Sequence, residues 1–236
     1  MEDTIVSQKY FANEEQCSIW NKLFERQINV VHNKACKEFI FGLDILKNLI
    51  SKLPTLEKVS EDLDRMVGWK IVPVIGMIDS KKYFTSLANK EFPVNLILRE
   101  SNHLDFDPLP DMWHDVFGHL PLVTNPLYNR FLENISQKML VANDNQRRQL
   151  DNLYWYTIEA GLCQENGQRR VYGASLLSSF AEVHYSLSDE PLVRTFDFET
   201  VTQTEADPYN FQLQMFELNS FEDLALVIEY FDFIKV

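Results

Sequence analysis

The sequence predicts a mostly α-helical protein with minor β, folded as one domain across residues 1–236. Three observations predict it. Apolar residues recur at steps of three and four over long stretches, the spacing of one helix face. Only two short β-branched runs and one hairpin signal interrupt them. The chain is 45% hydrophobic and 24% charged, with no repeat and no low-complexity linker, which suits one large globular unit.

Residues 14–51 read as helical, with Trp20, Leu23, Phe24, Ile28, Val31, Ala35, Phe39 and Leu43 recurring at steps of three and four. Pro54 and Thr55 mark a turn into a short helix ending near Leu63, with Glu57 in the first turn where the helix dipole favours acid. Residues 69–78 are β-branched and close near Gly76, as a strand entering a turn does. Asp79 and Ser80 then start a helix that runs through Ala88. Residues 92–98 form a second strand. Helices follow at 127–142 and 146–164. Asn166 and Gly167 are a two-residue hairpin turn between Leu162–Cys163 and Val171–Tyr172. Residues 176–186 are helical again, and the tail, 221–234, is amphipathic.

The net charge of −13 excludes a broad phosphate-neutralising face, since the basic residues cluster only as pairs such as Lys81–Lys82 and Arg147–Arg148. Nucleic acid is therefore not an expected partner. Cys17, Cys36 and Cys163 are odd in number and form no CxxC, which argues against a disulfide framework or a thiolate zinc site and for a reducing compartment. The first residues carry acid before base and no apolar core, so no signal peptide is read there. No run approaches the length of a membrane span. A cytoplasmic protein is expected.

Chemistry concentrates between Asp105 and Pro121. His114 and His119, two of five histidines, stand five apart. On a continuous α-helix that spacing turns the side chains roughly 140° apart. Gly118 and Pro121 therefore suggest that the helix ends before His119 and that a non-helical turn returns the second imidazole beside the first. Glu159 lies in the otherwise apolar Tyr154-Trp155-Tyr156-Thr157-Ile158-Glu159 stretch, where a charge needs a partner or a metal. Two imidazoles and one carboxylate suit Fe(II) with open positions, and ligand type alone also admits zinc. The plainer alternative is a buried core histidine, with Glu159 paired to a base such as Arg130.

Several ordered blocks then resemble a known family. Pro110-Asp111 before His114, Gly118-His119 and Pro121 comes first. Tyr154-Trp155 follows ahead of Glu159 and Gly161-Leu162, and Tyr172-Gly173-Ala174 precedes Leu176-Leu177-Ser178-Ser179. Together they resemble the tetrahydropterin-dependent aromatic amino acid hydroxylases over roughly residues 10–235, most of all the short bacterial phenylalanine-hydroxylating members. The resemblance implies a monooxygenase that uses Fe(II), dioxygen and a tetrahydropterin, tetrahydrobiopterin or a related form. The expected substrate is an aromatic amino acid, first of all L-phenylalanine converted to L-tyrosine. It implies His114, His119 and Glu159 as iron ligands, and Tyr83 as the ring facing the pterin, where the family usually has Phe. The backbone at Met77, Ile78 and Asp79 would meet the pterin edge, with Asp115 in water-mediated contact. Arg99 would grip the substrate carboxylate, with Asp107 and Ser178 nearby. Pro110 and Trp155 would wall the substrate ring, and Tyr154 would sit close to the iron.

The chain also departs from the family pattern. Asp115 stands where Glu is usual, Asp107 where a neutral residue is usual, and Ala160 where Phe follows the ligand glutamate. Trp113 is bulkier than usual and is expected to refill the space left at Ala160. These positions bear on substrate and ring position, with tryptophan or another aromatic acid as the alternative. A monomer is expected. Two rival classes are a zinc hydrolase with Asp115 as general base, and a pterin- or amino-acid-binding protein without catalysis.

Overall fold

A computed structural model describes residues 13–230. The first residues read for a leader and the end of the amphipathic tail lie outside the described residues.

The architecture is mostly helical with two small sheets. Helix α1 (Glu14–Val31) opens with a capping box between Asn13 and Gln16 and buries Ile19, Trp20, Leu23 and Phe24 along one stripe. The helical stretch expected over 14–51 is divided into two helices. The chain leaves α1 at Val31, and the Cys36 amide donates to the Val171 carbonyl at 2.9 Å, while the Val171 amide donates to the Lys34 carbonyl at 2.9 Å. Helix α2 (Lys37–Ile50) then starts afresh with Cys36 as its cap. Periodicity survives such a break because both helices bury their stripes in the same core.

Helix α3 (Leu56–Val67) ends at Gly68, whose φ of 72° only glycine adopts readily. Strand β1 (Lys70–Val74), helix α4 (Ser80–Ala88) and strand β2 (Glu91–Asn95) form a β-α-β unit. The two strands pair in parallel, Lys70 opposite Glu91 through Val74 opposite Asn95. Asp79 caps α4, accepting from the Lys81 and Lys82 amides. Both strands are shorter than the β-branched runs. Beyond Asn95 the backbone turns away, with the Asn95 side chain accepting from the Gly76 and Ile97 amides.

Helices α5 (Leu120–Val123), α6 (Pro126–Val141) and α7 (Asp144–Tyr154) pack around the centre. The expected helix over 146–164 stops early: after α7 the chain widens into a π-turn over Trp155–Glu159 and then enters a sheet. Strands β3 (Leu162–Glu165) and β4 (Gln168–Val171) form the expected hairpin, with Asn166 and Gly167 both at positive φ, 52° and 74°. Helices α8 (Ala174–Ser178) and α9 (Phe180–Ser186) replace one predicted helix, divided at Ser179, which caps α9. Strand β5 (Leu192–Thr195), helix α10 (Phe198–Gln203) and strand β6 (Gln214–Leu218) complete the larger sheet in the order β4-β3-β6-β5. The described tail is a short turn and helix α11 (Leu224–Tyr230). No helix of the described residues is long and apolar enough to cross a membrane.

Candidate functional site

The two histidines meet through a π-turn. Residues His114–His119 are π-helical, and the chain runs on into α5 in spite of Pro121. The non-helical turn expected before His119 is therefore corrected. A helix bonded to the fifth residue is wider than an α-helix, so it brings residues five apart over one another without leaving the helical path. Gly118 lets this turn lie against α8, since a Cβ there would come 2.6 Å from the Ala174 carbonyl oxygen. Glu159 ends the second π-turn, Trp155–Glu159, on the opposite wall.

The donors converge. His114 Nε2 and His119 Nε2 are 3.1 Å apart. Glu159 Oε1 lies 3.3 Å from His119 Nε2, and Oε2 lies 3.5 Å from His114 Nε2. Three donors at right angles about 2.1 Å from one ion would be about 3.0 Å apart, so the triangle fits one face of a metal's coordination shell. Two buried imidazole nitrogens aimed at each other otherwise share one proton between two lone pairs. Asp115 lies close enough to form a wider cluster with both histidines, its ligand atoms within 4.8 Å of theirs. Its Oδ2, however, accepts from the Asn95 amide at 2.7 Å. Glu159, touching both imidazoles, is the better third donor.

A second layer orients this set. His114 Nδ1 meets Ser178 Oγ at 3.1 Å, leaving Nε2 for the centre. Ser175 Oγ donates to Glu159 Oε2 at 2.8 Å. Burial pulls the His114 imidazole down to about 4, so it is neutral at physiological pH. Burial raises the Glu159 carboxyl, but the two imidazoles and the Ser175 hydroxyl outweigh it and leave it below the usual carboxylate range. A neutral His114 and an ionised Glu159 are the protonation states in which those two groups bind a metal.

Two cavities open on either side of the triangle and share Met77, Pro110, His114 and Glu159 as walls. One, of about 270 Å³, is lined by Ile78, Tyr83, Asp115 and Tyr154. The other, of about 240 Å³, is lined by Arg99, Asp107, Trp155, Ser178 and Glu182. Every predicted site residue thus lines one cavity or the other except Asp79, whose carboxylate is used in capping α4. Burial pushes the Asp115 carboxyl up to about 7 against the pull of the Asn95 amide.

Arg99 is held rigidly. Its Nε and Nη2 donate to the two Asp111 oxygens at 2.9 and 2.8 Å, and its backbone amide donates to Asp111 as well. Its Nη1 is buried with no partner. Asp111, Ser175, Glu182 and the loop at Tyr209 were not singled out from sequence. Asp111 stood in the motif, three residues before His114, whose amide it accepts at 2.9 Å. Nothing local in the sequence marks Tyr209, which reaches the cavity from the far side of the fold.

Trp113 corrects another expectation. It is fully buried, donates to the Ser178 carbonyl and stacks on Phe117 with centroids 4.3 Å apart. It faces the core and lines neither cavity, and Ala160 is also buried off both. Trp113 therefore does not refill a substrate wall at Ala160.

A family model described as biopterin-dependent aromatic amino acid hydroxylase matches residues 2–234. The phenylalanine-4-hydroxylase of Mesorhizobium japonicum is 35% identical over 235 residues, covering 98% of this chain and 85% of that one. The apo structure of the cold-active phenylalanine hydroxylase from Colwellia psychrerythraea 34H superposes with a TM-score of 0.90 at 33% identity, over 97% of this chain and 90% of that one. The Chromobacterium violaceum phenylalanine hydroxylase with bound iron(III) and oxidised 7,8-dihydrobiopterin gives 0.86 at 36% identity, over 94% and 84%.

Proposed function

The chain belongs to the biopterin-dependent aromatic amino acid hydroxylases, and from that premise we propose that it converts L-phenylalanine to L-tyrosine at iron held by His114, His119 and Glu159. Dioxygen and a tetrahydropterin are the co-substrates. One observation carries the reading: a triangle of two imidazoles and a carboxylate lies where two cavities meet.

Iron, when bound, supplies activation of dioxygen, with the pterin as electron donor. The chain's own residues do the positioning. Arg99, preset by Asp111, offers its free Nη1 to the substrate carboxylate. Trp155 and Pro110 wall the space between that contact and the triangle, where the ring would lie. On the other side, Tyr83 presents its ring to a pterin, and Met77 and Ile78 border its edge, with Asp79 behind them as the cap of α4. Ser178 steadies His114 from behind. Tyr154 closes the pterin cavity beside Tyr83, and Asp115 faces the same cavity. The residues bind, orient and exclude water, and none acts as a nucleophile. We take residues 1–236 as one catalytic domain, and the protein as a cytoplasmic monomer. The three unpaired cysteines fit a reducing compartment. Analytical ultracentrifugation tests the monomer.

The test loads the protein with Fe(II) anaerobically and adds phenylalanine, tryptophan or tyrosine separately with reduced pterin, then oxygen. The expected result is a pterin-dependent gain of one oxygen on phenylalanine, co-eluting with tyrosine. A tryptophan product or a meta-hydroxylated phenylalanine would move the substrate and keep the chemistry. Tight zinc with amidase activity and no oxygen uptake would overturn the reading.

A further inference from the structure

The 240 Å³ cavity carries more charge than a carboxylate-binding site requires. At one place it has a cation with an unused donor: Arg99 is 2% exposed in its side chain, its Nε and Nη2 are occupied by Asp111, and Nη1 has no partner. Besides Glu159, two carboxylates line the same cavity from different elements, Asp107 on the loop before Pro108 and Glu182 on helix α9.

Glu182 has no paired counter-charge among the described residues, and Asp107 has only local partners. Glu182 forms no ion pair among the described residues; its neighbours are the Ser179 hydroxyl, which caps its amide at 3.2 Å, and the more distant Arg99 and Glu159 charges. Burial pushes its carboxyl up to about 7, against the lowering effects of Ser179 and Arg99. Such a shift is expected of an acid that faces a poorly hydrated cavity without a cation. Asp107 is only 13% exposed in its side chain. Its Oδ1 accepts from the Leu109 amide at 3.0 Å, and its Oδ2 lies 3.4 Å from Nδ1 of the half-exposed His103. These contacts fix its orientation without filling the cavity.

We propose that Asp107 and Glu182 form the subsite for the substrate's α-ammonium group, so that the cavity selects zwitterionic α-amino acids over aryl acids that lack the amine. The inference rests on the hydroxylase reading and adds the determinant of its substrate class. A simple arylalkanoate would satisfy Arg99 Nη1 but would bring a third negative charge beside Asp107 and Glu182. An arylalkylamine would satisfy the acids but leave the buried guanidinium donor unmet, which is costly. An α-amino acid answers both, because its two charged groups stand on one carbon.

The test compares L-phenylalanine, 3-phenylpropionate and phenethylamine on the full chain. Binding is measured by calorimetry, and turnover by product with iron and reduced pterin. The wild type is expected to bind phenylalanine at least about tenfold tighter than either analogue. Glu182→Gln and Asp107→Asn are each expected to weaken phenylalanine binding and raise its KM severalfold, with kcat changed far less. The same substitutions should leave 3-phenylpropionate unweakened or bind it more tightly. Glu182→Asp should recover part of the preference, which a purely structural role would not predict. Thermal melts identify any variant that fails to fold, and the more peripheral Asp107→Asn keeps the test decisive in that case. An unchanged ratio of phenylalanine to 3-phenylpropionate affinity in both variants overturns the subsite. If no aromatic amino acid is hydroxylated yet the variants shift that ratio as expected, the hydroxylase reading fails and the ammonium subsite stands.

Discussion

The hydroxyls of Tyr83 and Tyr154 meet at 2.7 Å and tie helix α4 to the end of α7 across one wall of the 270 Å³ cavity. Their rings are almost perpendicular, 6.2 Å apart, and Phe84 packs edge-on against Tyr154 at 5.5 Å. Burial raises both phenols well above their ordinary value, so both stay protonated. Tyr83→Phe keeps the ring that would face a pterin but leaves the Tyr154 hydroxyl without its partner. A stability loss of about 1–2 kcal/mol is expected, with pterin affinity changed by less than about threefold. Thermal melts and pterin titration measure the two effects separately. An unaltered melting temperature would show that the hydroxyl contact contributes nothing.

The Arg99–Asp111 pair makes a stronger demand. The two side chains are 2% and 5% exposed and joined by two hydrogen bonds. Burial raises the Asp111 carboxyl, but Arg99 outweighs it and holds the acid below the usual range. Removing the charge leaves a buried guanidinium uncompensated, at about 3–5 kcal/mol. Asp111→Asn is therefore expected to lower stability by that order and to weaken phenylalanine binding at least about tenfold, since Arg99 loses its orientation. Tetrahydropterin binding should change little. Equal loss of both ligands would mean general collapse of the site.

Ser175 touches no substrate wall beyond its edge of the cavity, yet its hydroxyl donates to Glu159 at 2.8 Å. Such outer contacts set the ligand's direction, and their loss typically weakens metal binding by about 10–100-fold. Ser175→Ala should show that loss in a chelator competition with Fe(II) or Co(II), while melts of the metal-free protein stay close to wild type. Unchanged metal affinity would remove Glu159 from the coordination shell or Ser175 from its support.

The candidate metal ligands were suggested by local chemistry, and the other site residues came from the family resemblance. His114, His119 and Glu159 announce themselves as polar residues in apolar helical stretches, and the Asn166–Gly167 turn needs only two residues to be read. What failed was geometry that depends on hydrogen-bond register. Spacing of five excludes an α-helical face but does not distinguish a broken helix from a π-turn, and only the latter occurs here. The division of residues 14–51 was hidden because it is made by a bridge to Val171, far along the chain. Residues 192–218 gave no pattern because β5 and β6 are short, pair in parallel across an intervening helix and loop, and join the sheet only through β6 beside the distant β3. The loop they frame brings Tyr209 to the 240 Å³ cavity, so that wall was missed with them.

Glu182 also gives a pH dependence whose sign is fixed. Its carboxyl is raised from 4.5 to about 7 by burial. Between those values the unfolded chain has released the proton and the folded chain still holds it. Stability contributed by this group is therefore fully present below about 4.5 and is lost as pH rises through about 7. Glutamine resembles the protonated acid at every pH. The unfolding free energy of Glu182→Gln minus that of the wild type should then be near zero at the acid end and grow as pH rises from about 5 to 8, reaching on the order of 1–3 kcal/mol. Both proteins carry the same metal ligands, so only the coupling of Glu182 to Glu159 distinguishes their backgrounds. Metal-free protein and no substrate are the right conditions, because an ammonium at the site would lower the Glu182 pKa and flatten the curve. A difference that stays constant across that range would mean that Glu182 is ionised and satisfied in the free enzyme, and that its charge needs no ligand to complete it.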